Sequence, residues 1–473
     1  MHPTPNARPF SSLIADVRTG KLLKVSRTLV FIIVLLYGIM LGALIPPLQS
    51  PDEAAHITQA AVISHGSLFG KSVDNTIPGG QMDVQLRPFF DHYNQLRGNP
   101  NKLTGDMQAS GNAMTYSGKT EFAATPATAY YLPIVYFPQA MGLALGRWTN
   151  LSLTTSTQLA RAFALLASLA ILFFAIRLYP PNIFVLSVLL MPMVLFQVAC
   201  SGIDGITTAA AVFALGYFMR STDKLWCPPA LLEFAFALAL LVLCTTRQHL
   251  TPMLLLPFWL YFMRRETKLL AIGSVLFILT LAWTVYVTNV TSGAAPSVIP
   301  TLQHYLRSPS AALAIIYATI FNGANLYNYV AAFIGILGWI DTPMQSWFYK
   351  IAGAFAIVAA GLSFSLKSSN ADWSTRCFLL ALSLVSSALV FIIMMIVWTK
   401  LPASQIEGVQ GRYFFVPALM FGYALSGAKI DLQYRQLKLG LLCCFALLAS
   451  ANTAYVVFDR YYVVPQVAHL HQR

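Results

Sequence analysis

Pro51, Asp52, Glu53 and His56 follow the first long apolar run, in the stretch IPPLQSPDEAAH at 45–56. Two adjacent carboxylates where a membrane span meets water are costly and seldom accidental. On a helix, Asp52 and His56 share a face one turn apart. That spacing suits a carboxylate base or metal ligand with an imidazole neighbour, and Glu53 stands beside it as a second catalytic candidate. The group lies at the height where a lipid-linked substrate carries its phosphate. Pro51 and Asp52 also make a helix start, with the carboxylate on free backbone N–H groups. The two roles are compatible.

Further polar motifs interrupt the apolar sequence. Asp204, in SGIDG at 201–205, offers a second acid for a metal or an acceptor hydroxyl, or a cap for a helix starting at Gly205. Arg247 and His249, in TRQH at 246–249, break an apolar hairpin. Arg247 can snorkel to the surface or bind a lipid phosphate with its planar fork. Arg412, in VQGRYF at 409–414, is the better phosphate candidate, because Tyr413 and Phe414 beside it can pack on a polyprenyl chain or a sugar ring. Asp341, in GWIDTP at 338–343, is read first as a turn or cap before Pro343 and second as a substrate contact. Asp83, Arg87, Asp91, His92 and Tyr93 suit sugar binding, and a solvated loop would look the same.

The elements that must position these residues are membrane helices. Of 473 residues, 57% are hydrophobic and only 10% charged. A soluble protein of this length carries about 25% charged residues. Mean hydropathy is +0.64, and apolar runs near 20 residues recur from end to end. The fold class expected is an all-α polytopic membrane protein. The net charge of +13 fits cytoplasmic loops rich in Lys and Arg. No basic stripe with interleaved aromatics points to nucleic acid. The six cysteines lie in or beside apolar runs, with no disulfide framework and no metal spacing. The basic residues before the first run read as an uncleaved anchor.

The positive-inside bias sets the topology. Arg8, Arg18, Lys21, Lys24 and Arg27 place residues 1–27 in the cytoplasm. A first span at 28–46 leads to a large external loop, 47–156, in which 129–147 forms an interfacial helix. Spans follow near 157–178, 183–200, 205–219, 229–246, 250–263, 269–290, 344–364, 378–398, 413–428 and 439–457. This gives about eleven spans in a domain over 28–457. A second external loop covers 291–343, with re-entrant or interfacial helices, and an external tail covers 458–473. Every short basic loop then faces the cytoplasm, and all five polar motifs face outward. No extramembrane stretch is long enough for a separate core, and no repeat is evident.

The ordered set PPLQSPDEAAH, SGID, GWIDTP and QGRYF resembles a bacterial family of multi-pass membrane proteins known only as a domain of unknown function. The resemblance spans roughly residues 30–430. That family is grouped with the GT-C glycosyltransferases, which take a sugar from a polyprenyl-phosphate or -pyrophosphate carrier on the outer face of the membrane. The resemblance implies a GT-C-like fold with interfacial helices in the first external loop. Asp52 corresponds to the first-loop acid, a general base or metal contact, and Asp204 to the second acid. Here the second acid is a lone aspartate. A divalent cation, Mg2+ or Mn2+, held by Asp52 and Asp204 and a metal-independent mechanism therefore both stay open.

The expected function is transfer of a sugar from a polyprenyl-phosphate donor to a glycan acceptor such as O-antigen, capsule or wall polymer, at the bacterial inner membrane. The expected catalytic residues are Asp52, Glu53 and His56. Substrate contacts are expected from Asp204, Arg247, His249, Asp341, Arg412 and Tyr413. The alternatives are a flippase for a lipid-linked saccharide, or an oligosaccharide polymerase or ligase. Charges gathered at one surface, the long external loop and the lack of a repeat count against transport.

Overall fold

The computed structural model describes residues 28, 31–71, 77–291, 298–365, 370–426 and 434–464. The expected cytoplasmic segment 1–27, the loop lysines Lys367 and Lys429, and residues 465–473 of the expected tail lie outside them. The chain is mostly helical. Among the described residues, five helices are long and apolar enough to cross a membrane: Leu153–Leu178, Thr267–Asn289, Ser346–Ser363, Asp372–Val397 and Gln436–Tyr462. A sixth span arises if Pro192–Ala199 and Asp204–Ser221, bent by 114° at their break, are taken together. Phe31–Leu44, Ala230–Thr246 and Pro309–Ile320 are shorter apolar helices. The protein is membrane-integral.

The helix boundaries follow local chemistry. Ser152 starts Leu153–Leu178, its hydroxyl accepting from the Thr155 N–H. The apolar run at 183–200 forms two helices, Ile183–Leu189 and Pro192–Ala199. Pro192 has a fixed φ and no N–H, so it starts a helix rather than continuing one. The run at 250–263 opens as a 3₁₀ stretch, Gln248–Leu254, with Pro252 inside it, before the α-helix Leu255–Arg264.

Residues 47–156, expected to form a polar loop, carry a second buried cluster, which also takes in Ala160, Ile203 and Val242. Glu53–Ser64, Leu86–Asn94, Gly105–Ala113 and Phe137–Trp148 are helices. Gly79–Asp83 and Thr120–Ala124 pair antiparallel, with Gly79 opposite Ala124 and Asp83 opposite Thr120. Ile57, Phe89, Leu96, Tyr136 and Leu153 are fully buried together. The apolar residues are too far apart in sequence to show a period, and only the tertiary fold gathers them. The polar residues of this loop act as ties. The Asp83 carboxylate accepts from the backbone N–H groups of Gln85, Ser117 and Gly118. Arg87 pairs with Glu121 at 2.8 Å, His92 shares a hydrogen bond with the Met107 carbonyl, and Tyr93 is buried.

The expected interfacial segment begins as a 3₁₀ turn, Pro133–Tyr136, and continues as Phe137–Trp148. Gln139, Ala140 and Leu143 are buried, while Phe137, Met141 and Trp148 are exposed. Within 303–340 lie the helices Pro309–Ile320 and Gly323–Gly335. The last helix, Arg435–Tyr462, grips the first loop at its end. Arg460 donates to the Leu96 and Asn99 carbonyls, each at 2.7 Å, and Lys102 donates to the Asp459 carbonyl at 2.9 Å.

Candidate functional site

The turn at 45–53 is fastened from several directions. Arg161, inside the apolar helix Leu153–Leu178, donates to the Ile45 carbonyl at 2.7 Å and the Pro46 carbonyl at 2.9 Å. The same guanidinium holds Glu53 through two bonds of 2.8 Å. Glu53 also accepts from the N–H groups of Ser201 and Ser50. Both charges are buried, and the fork geometry satisfies them. The Trp339 indole donates to the Leu48 carbonyl at 3.0 Å, and Gln49 donates to the Tyr93 carbonyl at 2.9 Å. Leu48 and Asp52 both take left-handed backbone, with φ of 65° and 61°. Such a conformation persists where the surroundings over-determine it.

Asp52 sits at the N-cap of Glu53–Ser64, yet its side chain makes no capping bond. It accepts instead from Arg412 Nη2 at 3.0 Å. Arg412 Nη1 reaches Asp204 at 3.4 Å, and the other Asp204 oxygen takes Arg247. Asp204 is the first residue of Asp204–Ser221, and the cap position is Ile203, so Asp204 makes an ion bridge rather than the expected cap. The turn after the first apolar helix, the break before Asp204–Ser221, the end of Ala230–Thr246 and the QGRYF turn thus meet in one cluster. Its charges are two carboxylates and two guanidinium groups. Asp52 is its accessible member, with 54% of the side chain exposed. Arg412 is buried, and its Nε has no hydrogen-bond partner among the described residues.

Aromatic rings close the cluster. Arg247 lies 5.4 Å from the Tyr413 ring and 5.9 Å from Tyr131. Tyr413 stands 6.2 Å from His249. His56 shares a 2.8 Å hydrogen bond with the Tyr136 hydroxyl. Burial, opposed by Asp204 and Asp52, holds His56 down at about 4, so the ring is neutral at pH 7. Burial holds His249 at about 3. For Glu53 burial pushes upward, but Arg161 and the two N–H donors leave it below the usual carboxylate range.

Gly411 lets the QGRYF turn approach helix Gly323–Gly335. A Cβ there would stand 2.1 Å from the Phe333 nitrogen, so any side chain would push Arg412 off its partners.

Asp52, His56, Asp204, Arg247, His249, Arg412 and Tyr413 come together. Two expected residues have other partners. Glu53 belongs to the Arg161 clasp below the turn. Asp341 pairs with Arg460 at 2.7 Å and accepts from the Trp339 N–H and Thr342 hydroxyl, which is its turn role. Arg161, Trp339, Tyr131 and Tyr136 were not among the expected site residues. A charge mid-way along the apolar run at 153–178 was the available signal for Arg161.

The donor set does not fit Mg2+ or Mn2+. Each carboxylate already holds a guanidinium, and among the described residues no three His, Cys, Asp or Glu side chains converge. The cluster suits an oxyanion, for which paired guanidinium groups are matched.

Residues 35–421 match the family described as "Predicted membrane protein (DUF2142)", and the chain belongs to that family. No curated protein and no solved structure matches it.

Proposed function

We propose that this protein is a GT-C-type glycosyltransferase that moves a sugar from a polyprenyl-phosphate carrier to a surface glycan. On this reading it has about eleven spans, its N-terminus is cytoplasmic, and the site opens on the outer face of the inner membrane. The observation that carries the proposal is the buried Arg412, whose Nε has no partner among the described residues, set between an accessible Asp52 and the Asp204 that Arg247 also holds. A buried donor without an acceptor costs about 1–3 kcal/mol, which a ligand oxygen would recover. The exposed Phe137, Met141 and Trp148 of the first loop are the face a headgroup layer would cover.

In the proposed reaction the Asp52 carboxylate takes the proton of an acceptor hydroxyl. That oxygen bonds to the anomeric carbon as the bond from carbon to the phosphate oxygen breaks. The departing phosphate gathers charge, which Arg412 and Arg247 neutralise in a poorly hydrated setting. Neutral His56, tied to Tyr136, lines the acceptor side. The test is transfer from a polyprenyl-phosphate sugar in vesicles: full activity in a folded Asp52→Asn variant would remove Asp52 as the base.

A second reading has support from one feature. Asp204 lies at the break of a helix pair bent by 114°, and broken helices bearing charge are found in transporters. Movement of a lipid-linked saccharide across the bilayer without a glycosidic product would favour that reading. Transfer of whole chains rather than single sugars would identify a polymerase or ligase.

A further inference from the structure

The GWIDTP turn, whose Asp341 takes no part in the charge cluster, holds an arginine beside it. Arg97 lies over the Trp339 ring, with its guanidinium carbon 3.4 Å from the ring centroid. One ion pair fixes both partners. Asp341 accepts from the Trp339 N–H at 3.0 Å. Arg460, paired with Asp341, donates to the carbonyls of Leu96 and Asn99 on either side of Arg97.

Both partners are also tied to the turn that carries Asp52. The Trp339 indole donates to the Leu48 carbonyl, and the Gln49 amide donates to the carbonyl of Tyr93, four residues before Arg97. Leu48 and Asp52 are themselves four residues apart, so the stack is anchored within about 14 Å of the acid, the full reach of that length of chain. Helix Gly323–Gly335, against which the Arg412 turn packs at Phe333, runs on into Trp339 from the other side.

Arg97 differs from the arginines of the cluster. Arg412 and Arg247 share Asp52 and Asp204, and the four charges cancel. Arg97 is exposed on the half-buried Trp339, and its guanidinium makes no ion pair and no hydrogen bond among the described residues.

These features select a ligand class. A guanidinium in contact with an aromatic face keeps its in-plane N–H donors free, and their fork matches a planar carboxylate. One cation balances a monoanion, whereas a phosphate dianion would keep one charge unmatched. The side chain opens to water, and an uncancelled charge there draws an anion from solution. We propose that Arg97, set in place by Trp339, binds the carboxylate of a uronic acid unit in the acceptor saccharide. The acceptor role rests on the proposed glycosyl transfer, whereas carboxylate binding does not.

The test is saturation-transfer NMR on the full chain in phosphatidylcholine nanodiscs, with methyl glucuronide and methyl glucoside as probes. The glucuronide should bind about tenfold more tightly, the equivalent of one hydrogen bond to a charged group, and its advantage should shrink in about 0.5 M salt. Arg97→Gln should reduce the glucuronide to the level of the glucoside. Arg97→Lys, which keeps the charge and loses the fork, should retain part of the preference. Equal binding of the two glycosides, or a preference for the glucuronide that survives Arg97→Gln, would overturn the inference and leave Arg97 as a strut on the turn. Displacement of the glucuronide by citronellyl phosphate would also overturn it, giving the guanidinium to a lipid phosphate. Glucuronide binding in a protein that transfers no sugar would keep the carboxylate site and remove the glycosyltransferase reading. Sugar transfer by a protein that does not prefer the glucuronide would do the reverse.

Discussion

Asp52 and Arg412 stand 360 positions apart in the chain and meet at 3.0 Å. The contact joins the accessible acid after the first apolar helix to a buried guanidinium next to the last apolar helices. Its members differ in what they would lose. Asp52 makes no cap and leaves the fold largely untouched if neutralised, whereas Arg412 is packed under the turn.

Asp52→Asn should therefore keep the thermal stability of the protein and lose about 10²–10⁴-fold in transfer rate, the usual contribution of a general base. Melting curves in detergent together with initial rates in vesicles separate the two effects. Wild-type rates would leave Asp52 without a catalytic part.

Glu53→Gln should behave in the opposite way to its neighbour. It leaves Arg161 buried without its charge partner, and breaking such a pair costs about 3–5 kcal/mol. Arg161→Met alone should cost a similar amount, and the Glu53→Gln, Arg161→Met pair less than the sum of the two. Strict additivity in a double-mutant cycle would show that the clasp does not couple them.

Arg412→Lys should raise the KM for the lipid-phosphate donor by at least about tenfold, because an ammonium cannot bridge Asp52 and Asp204 as a planar fork does. The acceptor KM should move little. Equal effects on both substrates would place Arg412 in general packing rather than in donor binding.

Acid should weaken the site before it weakens the rest. His56 at about 4 and His249 at about 3 are neutral in the folded protein, while an unfolded chain protonates them near 6.5. Between roughly pH 6.5 and pH 4 the unfolded state binds more protons, so stability falls as pH drops, by up to about 1.4 kcal/mol per pH unit for each ring. A His56→Asn, His249→Asn variant should show a flatter melting profile between pH 7 and pH 5 than the native chain.

Part of this arrangement was legible in the sequence. Asp52, Asp204, Arg247 and Arg412 each stand at the edge of an apolar run, where a charge is conspicuous, and membrane composition makes such positions rare. Glu53 and Asp341 were conspicuous for the same reason, but their partners are Arg161 and Arg460, 108 and 119 positions away, a distance that no local pattern records. The strands Gly79–Asp83 and Thr120–Ala124 were hidden because they are short, the first opens on two glycines, and they pair across two intervening helices. The split of 183–200 turned on Pro192, whose effect depends on whether neighbouring helices accept the break.

The two carboxylates and two guanidinium groups of the cluster sum to zero charge, and neutral His56 adds none. Such an arrangement projects little field beyond its own walls. It cannot draw an anion out of bulk water, and it grips one only on contact. A lipid-borne phosphate that diffuses within the bilayer plane meets this requirement, since the membrane delivers it at the right depth. Its capture should then be nearly indifferent to ionic strength, with the same association rate in 0.05 and 0.5 M salt, a range over which the Debye length shrinks about threefold.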